Sequence, residues 1–247
     1  MHTSTNYANT GHSRQALDVA LVFDMDGTLL DGREAVVNAV AEGLHETYRH
    51  FNLPVPTIDH DRIAAAIGLP TPTFFRAATD PGTVPPELID RFVGEFEVRS
   101  TRAEVAALQR GETDLFAGAE HTLQALVDRG HPLALFSNAN DPYFEAVVET
   151  HELRRFFHQA ISLESAVRQR LARNKAGIVR HLADQHAQAV VIGDRVHDIE
   201  AGRSAGALTV GCLYGFGKPE ELRSADWTIN SLPELLELPL TKSATRQ

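Results

Sequence analysis

The segment Leu21–Leu30, LVFDMDGTLL, carries the reading on which the fold turns. An apolar run delivers two carboxylates, Asp24 and Asp26, followed by Gly27 and Thr28. In extended backbone, residues i and i+2 point to the same side, so the two acids emerge together at the end of a buried strand. Such a pair can supply a nucleophile, a proton donor and a magnesium ligand, a combination that suits phosphoryl transfer. Taken alone, the stretch reads equally well as a strand closing in an ordinary Asp-Gly turn. Partner residues at later strand ends decide between the two.

Outward from this segment, β-rich runs alternate with helical patterns. ALVFDM (20–25), PLALFSN (132–138), QAVVIGD (188–194), ALTVGC (207–212) and ADWTI (225–229) read as strands. The first four are continuously apolar, as in a parallel sheet covered on both faces. Helices are expected around Leu123 to Val127, ended by Gly130 and Pro132, and from Asp141-Pro142 to Glu152. Two more fall around Ile178 to Leu182 and Ile199 to Ala205. The expected fold is α/β, with a doubly wound parallel sheet.

Residues 33–112 interrupt this rhythm. Val36, Val40, Leu44, Tyr48 and Phe51 recur at helical spacing, and further helical pieces cover Arg62 to Ile67, Thr73 to Ala78 and Glu87 to Leu108. Pro70, Pro72, Pro81, Pro85 and Pro86 punctuate them. So much helix is too long for a crossover and is expected to form a small helical domain. The α/β core would then comprise 18–32 and 113–240, with 1–17 a loose tail and TKSATRQ another at the opposite end.

Bulk properties narrow the function. A formal charge of −10 argues against a nucleic-acid binder and is unhelpful for anionic membranes. No apolar run approaches the ~20 residues of a membrane span, and the polar start MHTSTNYANTGHSRQ lacks the apolar core of a signal peptide. The single cysteine, Cys212, precludes an intrachain disulfide and fits a reducing cytoplasm. Oligomeric state is not readable.

In open α/β sheets, ligands bind beyond the carboxyl ends of the strands. There the sequence places Ser137-Asn138, then Gly193-Asp194 with Asp198 four residues on, and between them Lys175 in NKAGIVRHL. Singly, each has a bland reading: a helix cap, a solvated lysine, first-turn acids. Jointly, the order DxDGT, SN, Lys, GDxxxD resembles the haloacid-dehalogenase-like hydrolase superfamily, in its phosphatase branch with a helical cap, from about Asp18 to Leu238.

The resemblance implies a HAD-like Rossmannoid core with the cap inserted between the first two motifs. It places the nucleophile on Asp24, the general acid/base on Asp26, the phosphate-binding hydroxyl on Ser137 with Asn138 beside it, and the conserved lysine on Lys175. The distal acids fall on Asp194 and Asp198. Many relatives have proline after the lysine, where this chain has Ala176, and Arg173 nearby is a lesser candidate for the cation.

The implied mechanism is attack by Asp24 on phosphorus to form an aspartyl-phosphate. Asp26 protonates the leaving oxygen and then deprotonates water, work that typically contributes about 10²–10⁴-fold. A nearby like charge tends to raise an acid's pKa and would help Asp26 hold its proton. Mg²⁺ would take oxygen ligands from Asp24 and Asp194, with the resemblance adding the Asp26 backbone carbonyl. Lys175 and Ser137 would hold phosphate oxygens, Asp198 would orient Lys175 or a metal-bound water, and Thr28 would support the loop. Gly27 would keep side chains away from the phosphate.

The acid at position 26 separates this pattern from dehalogenases and phosphonoacetaldehyde hydrolases. GDRVHDIEAG followed by GFGKPEEL looks most like phosphoglycolate-phosphatase-type proteins and also resembles nucleoside-monophosphate phosphatases. A β-phosphoglucomutase-like phosphotransferase and a non-catalytic binding protein are the remaining alternatives. The expected substrate is a small phosphorylated metabolite. Gly68-Leu69-Pro70 and Thr71 to Arg76 are the candidate cap residues facing the site, against an ordinary helix boundary with Phe74 and Phe75 in the core.

Overall fold

A computed structural model describes residues 18–240; the tail expected over 1–17, the TKSATRQ segment and the side chains of Thr71, Pro72 and Pro81 lie outside the described residues. Six strands form one parallel sheet: β1 (Val19–Phe23), β4 (Leu133–Ser137), β5 (Gln159–Ser162), β6 (Gln188–Gly193), β7 (Leu208–Cys212) and β8 (Trp227–Ile229), in the order β5-β4-β1-β6-β7-β8. The apolar continuity of the inner strands has a direct cause. Leu21, Phe23, Leu135 and Ile192 pack into one buried cluster, whereas Val22, Ala134, Phe136 and Val191 pack into another. Adjacent side chains point to opposite faces, and helices cover both.

Those helices are α5 (Ala119–Asp128), α6 (Asp141–Thr150), α7 (Leu163–Arg168), α8 (Lys175–Ala183) and α9 (Val196–Ser204). Helix α6 begins at Asp141 as expected, but its cap is Asn140, whose side chain accepts from Tyr143 N. The bland capping role considered for Ser137 and Asn138 is therefore filled by a neighbour. Strand β5 and helix α7 were not expected. The strand is a short sheet edge opening on half-buried Gln159 and Ala160, without the apolar run that marks its neighbours. The last strand, Trp227–Ile229, is shorter than ADWTI, and just before it the Asp226 carboxylate accepts from Thr209 N and Oγ1.

The intervening helices are α1 (Arg33–His50), α2 (His60–Ala66), α3 (Thr71–Ala78) and α4 (Ile89–Gln109). The chain enters and leaves them through β2 (Leu30–Asp31) and β3 (Asp114–Leu115), an antiparallel pair with Leu30 opposite Leu115. Helix α1 crosses α4 at Gly43, where an added Cβ would lie 2.7 Å from the Ser100 backbone. A glycine inside a helix is unfavourable locally, and here close backbone approach explains it. An aromatic cluster fills the interior: Phe92 meets Tyr48 edge-on at 4.8 Å and Phe75 at 5.6 Å. Among the described residues, no helix is long and apolar enough to cross a membrane.

Candidate active site

Sheet register creates the site. Phe23 on β1 lies opposite Leu135 of β4 and Ile192 of β6, so all three strands end at one edge. Asp24, Ser137 and Asp194 therefore converge, although they are far apart in sequence. Asp24 N donates to Ile192 O at 2.9 Å, which locks the first residue beyond the strand. Asp24, Ser137, Asp194 and Asp198 are all buried.

Lys175 opens helix α8, capped by Asn174, and its side chain is buried. Its Nζ donates to Asp24 Oδ1 at 2.9 Å and to Asp198 Oδ1 at 2.7 Å. Burial disfavours the charged ammonium, but Asp198 and Asp24 more than offset this and raise its pKa. Arg173, the alternative cation, is exposed. Asp198 also accepts from Arg195 N at 2.9 Å, so the first-turn role and the lysine contact coexist in one side chain.

Asp194 is held by three donors: Phe216 N at 2.7 Å, Gly217 N at 3.1 Å and Thr28 Oγ1 at 3.4 Å. Burial still raises its pKa to about 6, with the Asp198 charge adding to the shift. Asp24 is raised well above the usual carboxylate range by burial and Asp198, against the opposing pull of Lys175. One oxygen each from Asp24, Asp194 and Asp198 lies within 4.8 Å of the others. Three buried carboxylates face one ammonium, a deficit of positive charge that a divalent cation with oxygen ligands fits. The Asp26 side chain stands outside this cluster.

Asp26 instead accepts from Tyr143 Oη at 2.9 Å. Its pKa rises to about 6 because burial outweighs the Tyr143 hydrogen bond and the Lys175 charge. The cause differs from the like-charge repulsion expected from sequence: desolvation does the work. Gly27 differs likewise. Its φ is +79°, and an added Cβ would lie 2.4 Å from Asp194 Oδ2, so the Asp194 carboxylate is what requires the glycine.

A cavity of about 100 Å³ opens over these groups. Its core side holds Asp24, Asp26, Ser137, Asn138 and Lys175. Ser137 Oγ accepts from Ala139 N at 3.0 Å, leaving its proton available to the cavity. Asn138 Nδ2 is directed to Gly68 O at 2.7 Å, tying β4 to the turn after α2. Arg195 reinforces this junction by donating to Ile67 O at 2.6 Å. Of the expected cap residues, Gly68, Leu69 and Phe74 line the cavity, whereas Phe75 is buried inside the helical unit.

Among the lining residues that the sequence reading did not assign to the site are Tyr143 of α6 and Glu104 of α4. Burial and the Asp26 charge push the Glu104 pKa up to about 8. Tyr143 is raised well above its ordinary value by burial, Asp26 and Glu104, so it remains a proton donor at neutral pH. The only local signal near Tyr143 is the helix start Asn140-Asp141-Pro142, and nothing local marks Glu104 among the acids of α4.

The chain is similar in sequence and fold to known proteins. A family model described as haloacid dehalogenase-like hydrolase matches residues 19–206. A 5'-nucleotidase of Pseudomonas aeruginosa is 27% identical over 208 residues, covering 83% of this chain and 86% of that protein. A phosphoglycolate phosphatase of Escherichia coli is 27% identical over 242 residues, covering 87% and 90%. Among solved structures, a haloacid dehalogenase-like hydrolase from Streptococcus pneumoniae superposes with a TM-score of 0.71 at 23% identity, covering 88% of this chain and 96% of that one. The structure of a predicted phosphoglycolate phosphatase from Haemophilus somnus gives 0.71 at 20% identity, covering 92% and 99%. The structural likenesses establish the fold.

Proposed function

The chain belongs to the haloacid dehalogenase-like hydrolase family, and from that premise we propose that it is a Mg²⁺-dependent phosphatase acting on a small phosphomonoester through an aspartyl-phosphate. The observation that carries this reading is the division of labour between the two acids. Asp24 sits on Lys175 at 2.9 Å, whereas Asp26, with a pKa near 6, sits on Tyr143 at the cavity wall. One carboxylate is placed to attack and the other to hold a proton.

Asp24 Oδ attacks phosphorus in line, the bond to the ester oxygen breaks, and Asp26 delivers its proton to that oxygen. Asp26, now ionised, takes a proton from the water that hydrolyses the acyl phosphate. Lys175 and the Ser137 hydroxyl hold the phosphoryl oxygens, and Asp198 keeps Lys175 in place. Asp24, Asp194 and the Asp26 backbone carbonyl, with Asp198 beside them, would hold Mg²⁺, which would supply positive charge against the anionic substrate. We take the helical unit 33–112 as the cap that closes this chamber. The single, buried Cys212 suits work in the cytoplasm on small metabolites.

The Pseudomonas relative's name brings a second reading, a nucleoside-monophosphate phosphatase. A cavity of about 100 Å³ favours the smaller ester, since sites for drug-sized ligands span roughly 300–1,000 Å³. The test is p-nitrophenyl phosphate hydrolysis with and without Mg²⁺, followed by phosphoglycolate, sugar phosphates and nucleoside monophosphates. Turnover that survives exhaustive chelation, or none with any ester, refutes the proposal.

A further inference from the structure

The cavity has a charge asymmetry that bears on its substrate. Among the described residues lining it, Lys175 is the one cation, and that lysine is already bound to Asp24 and Asp198 at the core end. The opposite end, where the alcohol portion of a bound ester would lie, is lined by Val36, Val40, Leu69, Phe74 and Phe96, with Ser100 and Glu97 of α4 among them. The carboxyl of Glu104 lines the cavity beside them, near enough to Asp26 to feel its charge and to Tyr143 to raise that hydroxyl's pKa. An anionic group on the alcohol would meet a largely apolar wall and carboxyls there, with no cation among the described lining residues; Arg173 lines a neighbouring pocket instead. A buried anion without a counter-ion is strongly disfavoured.

We propose that the substrate's alcohol portion carries hydroxyl or ammonium hydrogen-bond donors and no second anion, and that Glu104 is the residue setting this preference. The inference rests on the phosphatase reading and narrows it, away from phosphoglycolate, whose second group is a carboxylate. Glu104 has no positive charge in either protonation state. Ionised, it repels an anion and accepts from a hydroxyl or ammonium; neutral, it accepts through its carbonyl oxygen and donates its O–H, but brings no positive charge to offset a buried anion. Discrimination of this kind comes from repulsion of the wrong ligand as much as from attraction of the right one.

Binding of ethanolamine phosphate, glycerol 2-phosphate and phosphoglycolate is measured by calorimetry on the Asp24→Asn variant. Their kcat/KM values are measured in the unmodified enzyme, Glu104→Gln and Glu104→Lys. Phosphoglycolate is expected to bind at least about tenfold more weakly than the better of the other two. Glu104→Gln, an isosteric change, narrows that gap about threefold or more, and Glu104→Lys inverts the order. A lead for ethanolamine phosphate identifies the donor as an ammonium, and a lead for glycerol 2-phosphate identifies it as a hydroxyl. Equal or tighter binding of phosphoglycolate overturns the proposal, as does a substrate order untouched by both Glu104 changes. Should no ester turn over while the binding order holds, the phosphatase reading falls and the charge preference stands.

Discussion

The two ends of the cavity are built on different terms. At the core end, charged groups hold one another: Lys175 bridges Asp24 and Asp198, and Asp194 takes donors from Thr28, Phe216 and Gly217. At the end formed by the helical unit the wall is largely apolar, and Glu104 offers a carboxyl whose pKa shift has burial and the Asp26 charge as its causes, with no hydrogen-bond partner among them. The contrast separates chemistry from selection. Catalytic groups need fixed positions and fixed protonation states, which demand multiple partners. Selectivity needs only shape and the sign of a charge.

Substitutions on either side probe that division. Asp24→Asn removes the proposed nucleophile and is expected to lower kcat by about 10⁴-fold or more, with no ³²P retained in acid-quenched protein. Retained label would reassign the attacking group. Asp26→Asn should cost about 10²–10⁴-fold in kcat. The same change should stabilise the protein. The folded-state pKa of Asp26 is near 6 against about 4 unfolded, so its favourable contribution is complete below pH ~4 and disappears as the pH rises through 6. At pH 8 in chelator, urea unfolding of Asp26→Asn should show a gain of about 1–2 kcal/mol. A loss would mean that Asp26 is ionised at no cost in the fold.

On the cap side, Phe92→Ala empties a fully buried ring position against Tyr48, Phe51 and Phe75. It should cost about 3–5 kcal/mol in denaturant unfolding while leaving the pH–rate profile unmoved. A displaced profile would show that the cap interior helps tune the acids. The mildest change lies at the seam. Tyr143→Phe removes the hydrogen bond that lowers the Asp26 pKa, so that pKa moves above 6. The limb of kcat/KM that falls as the proton donor is lost should shift to higher pH, with kcat down by roughly three- to tenfold. An unshifted limb would assign it to another group.

Legibility from sequence follows the same boundary. Asp24 and Asp26 are visible because a strand reverses its side chains every residue and both follow one apolar run. Asp194 and Ser137 are visible because parallel strands end at one edge. Strand β5 was missed because an edge strand is half solvated and carries no apolar signature. Tyr143 and Glu104 were missed for a deeper reason. A helix displays its surface at 3.6 residues per turn, and nothing in that period says which turn will face a cavity assembled from another part of the chain.

By itself, the sequence determined the alternation of strand and helix, the position of the helical insertion and the order of the acidic, hydroxyl and lysine groups at the strand ends. Each is encoded locally, in the periodicity of apolar residues and the chemistry of a few adjacent positions. The tertiary structure decided that Lys175, and not the exposed Arg173, reaches Asp24. It also decided that burial rather than like-charge repulsion raises Asp26, and that the Asp194 carboxylate is what excludes a side chain at Gly27. Solvent exclusion and close contact between remote segments depend on how elements pack, and packing is set by the whole chain at once.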